Sequence, residues 1–220
     1  MQIKPVPSAK LWLPALPRKV ILLEILERLF VTAFFSLFMV TNLRIFTANF
    51  DIRVIMLLVS ETLPLILIAL RPFSSALSQK PIDWVAGLSG TIAPMLVVGN
   101  TQVHPLVPLA VCLAIIIFGL FVQIAAKVAL GMSFGLIAAN RGVKSAGPYR
   151  FVRHPMYAGY TLTHIGIFLS MPSLRNALFY SLSLSLQLIR IVREEAVLLQ
   201  DAEYRALAER VRYRLLPGLF

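Results

Sequence analysis

Between positions 106 and 126 the chain runs for 21 residues without a charged side chain, about the ~20 residues a helix needs to cross a bilayer. Within hydrocarbon a backbone must satisfy its own hydrogen bonds, so such a run is confined to a helix. Shorter apolar stretches stand at 29–47, 54–70 and 84–98, the last interrupted by Gly87, Gly90 and Pro94, and two more at about 156–170 and 176–192. With 58% hydrophobic and only 14% charged residues, and a mean hydropathy of +0.80, a soluble domain is excluded. The sequence therefore predicts an all-α fold: a polytopic membrane helix bundle of about six transmembrane spans. Residues 1–134 would hold the first four spans, and 135–220 the last two together with the polar chemistry. Both parts belong to one integral membrane domain.

The net charge of +11 does not point to nucleic acid, because the basic residues are spread through the segments between apolar runs. With six spans, one face collects eighteen of them, including Lys19, Arg71, Lys127, Arg141, Arg150 and Arg193, and the other face holds only Arg44, Arg53 and Arg175. That asymmetry places both termini, a basic loop before Arg153 and an amphipathic helix within 201–215 on the cytoplasmic side. A bacterial plasma membrane is expected in preference to the endoplasmic reticulum. Residues 1–28 read as a proline-containing arm and an interfacial segment. Glu61 falls inside the second span, where it must be paired within the bundle, neutral or part of a cavity. The single Cys112 excludes an intramolecular disulfide and a cysteine-based metal cluster, and no metal site is expected.

The chemistry-bearing residues concentrate around the re-entry into the membrane. Gly147-Pro148 is a turn signal, followed by Tyr149, Arg150, Arg153, His154, Pro155, Tyr157 and Gly159. Pro155 suits the first position of a helix, whose unpaired N–H groups would then face whatever lies beside Arg153 and His154. Tyr157, Tyr160, Thr161 and His164 share one helix face. In the returning helix, Gln187, Arg190 and Glu194 lie on adjacent turns, with Glu195 one step round, and Arg190 can pair with Glu194 at i, i+4. Residue types alone are equally compatible with a re-entry loop whose arginines hold phospholipid head groups, and with glutamates that only solvate a helix end.

The combination Gly147-Pro148-Tyr149, Arg153-His154-Pro155-Met156-Tyr157, Gly159, then Glu194-Glu195 and Tyr204, resembles the isoprenylcysteine carboxyl methyltransferase and phospholipid methyltransferase family of integral membrane enzymes. The resemblance covers about 135–220. It implies that Gly147, Pro148, Tyr149, His154, Pro155, Tyr157, Gly159, Glu194, Glu195 and Tyr204 enclose S-adenosylmethionine at the cytoplasmic membrane surface. It also implies methyl transfer to a lipid-soluble or membrane-embedded acceptor: a carboxylate of prenylcysteine type, another amphiphile or a lipid amine. Arg153 or Arg190 would orient a carboxylate, and His154 would serve as base for an amine. Leu207 stands where eukaryotic prenylcysteine enzymes usually carry a second tyrosine, and Val211-Arg212 replaces a valine-proline step. These differences bear on the acceptor rather than the cofactor.

Two other readings share part of the pattern. Membrane sterol reductases, which use NADPH, carry the arginine-histidine-proline-x-tyrosine core, but with asparagine where Met156 stands and glycine-glutamate where Ala158-Gly159 stands. A lipid-binding membrane protein without turnover would need only the pocket. Partners are thus expected to be membrane lipids and a lipid-soluble small molecule.

Overall fold

Proline, glycine and short polar caps set the helix boundaries. The computed structural model describes residues 16–49, 52–74, 77–97, 103–218 and 220. Among the described residues there are seven α-helices and no strand: α1 Arg18–Asn49, α2 Ile52–Leu70, α3 Pro81–Ile92, α4 Leu109–Leu130, α5 Pro155–Ser170, α6 Leu174–Leu198 and α7 Ala202–Arg210. Pro155 opens α5, where its missing N–H costs nothing. Ser173 caps α6 by accepting from the Asn176 N–H, and Asp201 caps α7 by accepting from the Glu203 N–H. Helix α4 gives way at Gly131, whose φ of 54° lies in the left-handed region.

The tightest helix contact is between α4 and α5, and small residues make it possible. A Cβ on Gly159 would stand 2.7 Å from Gln123 Cγ, and one on Gly119 would stand 2.5 Å from Thr163 Oγ1. The two backbones therefore approach as closely as helices can. Around this pair, α1 packs on α2, α2 on α4, and α3 on α6.

The helices differ in extent from the apolar stretches of the sequence. The interfacial segment and the first span are one continuous helix, α1, starting at Arg18. The third apolar stretch is a three-turn helix ending at Ile92, followed by a single 3-10 turn. Among the described residues only α4, continued to Ser133, is by itself long and apolar enough to cross a membrane. The side chains of Arg44 and Arg53 lie outside the described residues.

Three basic residues assigned to cytoplasmic loops are internal. Lys127 is completely buried; its Nζ donates to Ser60 O and Oγ, both at 2.8 Å, and pairs with Glu61 Oε1 at 3.3 Å. That pairing answers how Glu61 is accommodated. Arg71 Nη2 reaches Glu24 Oε2 at 2.9 Å and Glu27 Oε2 at 2.7 Å, and Arg141 Nη2 meets Glu27 Oε2 at 3.0 Å. Glu24 and Glu27 are fully buried, and Glu27 Oε1 also accepts the N–H groups of Leu136 and Ile137 at 2.6 and 3.0 Å. Unpaired ions in such a place would be prohibitively costly. The cluster fastens the start of α1 and the α2–α3 connection to the loop that precedes α5, and that loop forms part of the site.

Candidate active site

The site starts from a backbone constraint. Gly147 adopts φ of 59°, open to glycine at no steric cost, and starts the one-turn helix Gly147–Arg150. The chain then runs beside the C-terminal segment, with the Arg153 N–H donating to Tyr213 O at 2.9 Å and the His154 N–H to Arg214 O at 2.8 Å. These two bonds hold Arg153 and His154 at the mouth of α5, facing the end of α6.

Glu195 is the centre of that junction and is 3% exposed. Arg153 Nε lies 2.8 Å from its Oε1, Arg214 Nε lies 2.7 Å from Oε2, His154 Nε2 is at 3.2 Å, and the Tyr204 hydroxyl donates at 3.4 Å. Burial alone would push its carboxyl up. The hydrogen bonds from His154 and Arg214, with the charge of Arg153, outweigh that and hold it down at about 2. Glu195 is an anion at every physiological pH, and its oxygens are engaged by the protein itself.

Glu194 points differently. Its Oε2 accepts from the Tyr157 hydroxyl at 2.9 Å. The i, i+4 pair expected between Arg190 and Glu194 is replaced: the Arg190 guanidinium lies 5.2 Å from the centre of the Tyr157 ring and donates to Leu136 O at 3.1 Å. Burial, reinforced by Glu194, drives the Tyr149 hydroxyl far above its usual range, and burial with Glu195 does the same for Tyr204. Both remain neutral and offer ring faces.

Two hollows meet here. The smaller encloses about 60 Å³ between the loop before α5, the end of α6 and α7; Tyr149, Arg153, His154, Tyr157, Glu194 and Tyr204 line it. The larger, of about 520 Å³, lies among the helices and is mainly apolar, with Glu61, Gln123, Tyr160, His164, Gln187 and Arg190 in its wall. Met156 borders both.

The structure thus brings Arg153, His154, Glu194, Glu195, Tyr149, Tyr157 and Tyr204 together. Gly147, Pro148 and Pro155 shape the backbone around them. Gly159 sits instead in the α4–α5 contact against Gln123, and Arg190 belongs to the larger hollow. Sequence reasoning missed Arg141 and Lys144, which line the smaller hollow together with Leu130, Leu198 and Leu207. The basic loop was the signal for the first two, but nothing local marked the leucines. Among the described residues no group of His, Cys, Asp and Glu could hold a metal ion.

Comparison with known families gives a match across much of this junction. Residues 107–202, from α4 through the Glu194-Glu195 pair, match the family described as phospholipid methyltransferase. The match supports an enzyme that transfers methyl groups and works in a membrane, and the segment contains the membrane-length helix α4. Among solved structures, the chain is similar to the eukaryotic intramembrane Ras methyltransferase, an isoprenylcysteine carboxyl methyltransferase, at 18% identity and a TM-score of 0.48, over 91% of this chain and 83% of that one. Comparison with curated proteins finds no match.

Proposed function

We propose that this protein transfers a methyl group from S-adenosylmethionine to a lipid-soluble acceptor, with the cofactor in the smaller hollow and the acceptor in the larger. The observation that carries the proposal is the adjacency of the two hollows: Met156 lines both, and Arg190 of the larger lies 5.2 Å from the ring centre of Tyr157 of the smaller. When bound, the cofactor supplies an electrophilic methyl group on a sulfonium centre.

The residues fit such a molecule. Glu194, half-buried and already receiving one hydroxyl, can hold its ammonium group. The rings of Tyr149, Tyr157 and Tyr204 offer π faces to the sulfonium. Arg141, Lys144 and the open N–H groups at the start of α5 suit its carboxylate, and Leu130, Leu198 and Leu207 suit a purine. A hollow of about 60 Å³ is smaller than the several hundred Å³ usual for nucleoside-sized ligands. Admission therefore requires α7 or the loop before α5 to move outward.

Arg190 stands at the boundary and can orient an acceptor carboxylate, a group that needs no base. His154 is turned to Glu195 and lines the smaller hollow only. Its role in this reading is to hold the junction, with Arg153, rather than to take a proton from the acceptor. The bundle is read as about six spans with both termini and the α4–α5 loop cytoplasmic. Some of the contributing helices are short, and the ion clusters supply internal partners for charges that would otherwise face lipid.

Incubating native membranes that contain the protein with methyl-labelled S-adenosylmethionine tests the reaction. Label should pass into the organic-extractable fraction in proportion to the protein, and the Glu194→Gln variant should transfer little. Label confined to water-soluble or protein fractions would overturn the assignment of a lipid-soluble acceptor.

A further inference from the structure

Gln187 is a polar residue of the larger hollow with a loose end among the described residues. It is 2% exposed, and its Nε2 donates to Ser183 Oγ at 3.3 Å, one turn back in α6. Its Oε1 has no hydrogen-bond partner among the described residues. A buried amide oxygen without a partner is uncommon in folded proteins, because the lost hydration is not recovered. The residue sits in the wall of a hollow of about 520 Å³, ample for a small-molecule ligand. An occupant can therefore supply what the protein does not.

The surroundings select the donor. An ammonium group would enter beside Arg190, which lines the same hollow, while Glu61 there is already paired with Lys127. A carboxylate has no hydrogen to give the amide oxygen and would meet the Glu61 carboxylate in the same wall. A neutral hydroxyl suffers neither repulsion. Gln187 precedes Arg190 by three residues and Glu194 by seven, which along a helix is a rise of about 4.5 Å and about 10 Å. The hydroxyl recognised by Gln187 is thus distinct from the atom that would receive the methyl group, and lies about one helical turn deeper in the bundle.

We propose that Gln187 is a specificity-determining residue: the larger hollow takes an apolar molecule that carries a neutral hydroxyl in its body, and the Gln187 amide oxygen accepts its hydrogen. The proposal rests on the reading of that hollow as the acceptor site, but its test involves no methyl donor. A failure of cofactor binding and a failure here are therefore read in separate experiments.

The test is the thermal stability of the purified full chain in lipid nanodiscs, titrated with 1-dodecanol, dodecyl methyl ether and dodecylamine. The alcohol should raise Tm saturably, with a half-saturating concentration about tenfold below that of the ether, since the ether leaves the buried oxygen unpaired. Dodecylamine should do no better than the ether. Gln187→Leu, close in shape and without the amide, should bring alcohol and ether to the same value. Equal response of the wild-type protein to alcohol and ether, no response to either, or a stronger response to the amine would each overturn the proposal. So would an unchanged alcohol preference in Gln187→Leu. The wild-type comparison decides the matter even if the variant does not fold.

Discussion

Glu195 and its neighbour Glu194 are consecutive carboxylates with opposite duties. Glu195 draws Arg153, His154, Tyr204 and Arg214 onto one carboxylate and so joins the start of α5, the end of α6, α7 and the C-terminal segment. Removing its charge leaves two guanidinium groups facing each other, so Glu195→Gln should destabilise the protein by about 3 kcal/mol, measurable as a lower midpoint in denaturant or heat. Its carboxyl is held at about 2, below the ordinary 4.5. The stabilisation is therefore complete above the ordinary value and is lost as pH falls from about 4.5 toward about 2. Thermal stability of the wild-type protein should fall across that window, and Glu195→Gln should show a flatter profile there. Glu194→Gln, by contrast, should leave stability nearly unchanged, because Glu194 is only half-buried and its hydrogen-bond partner among the described residues is a neutral hydroxyl.

At the scale of elements, the α4–α5 contact and the Glu24–Glu27–Arg71–Arg141 cluster position the site, and of the cluster Arg141 lines it. Gly119→Ala would force a Cβ to 2.5 Å from Thr163 Oγ1 and 2.7 Å from the Thr163 backbone nitrogen, so it should cost about 2 kcal/mol as an overpacked interface and lower Tm accordingly. Glu27→Gln should cost about 3 kcal/mol and loosen the loop at 134–141, read as faster amide hydrogen exchange at Leu136 and Ile137. What the sequence makes legible divides along the same line. Pro155, and the break at Met171-Pro172-Ser173, are local signals, and they mark the starts of α5 and α6 within a residue or two of where they lie. Because α5 and α6 form a hairpin, the meeting of Arg153-His154 with Glu194-Glu195 was legible too. The ion clusters were not. Arg71 and Arg141 lie 44 and 114 positions from Glu27, and Lys127 lies 66 from Glu61, so each looked like an ordinary loop cation. Gly159 belongs to the motif that carries the resemblance, and its missing side chain admits Gln123 of α4.

For the molecule as a whole, the central reading is a membrane bundle whose cytoplasmic end holds the cofactor and whose interior holds the acceptor. Its orientation can be checked with introduced cysteines, since native Cys112 is completely buried. A membrane-impermeant thiol reagent added outside intact cells should label Arg175→Cys in the first turn of α6 and leave Ser145→Cys in the α4–α5 loop unlabelled until the cells are opened. The more direct measurement is calorimetric titration of the purified protein with S-adenosylmethionine, comparing wild type with Glu194→Gln. The account predicts saturable binding to the wild-type protein, weakened about 10- to 100-fold in the variant by loss of a charge-assisted contact, and no comparable binding of NADPH. Absence of S-adenosylmethionine binding, or equal affinity in the two proteins, would contradict it.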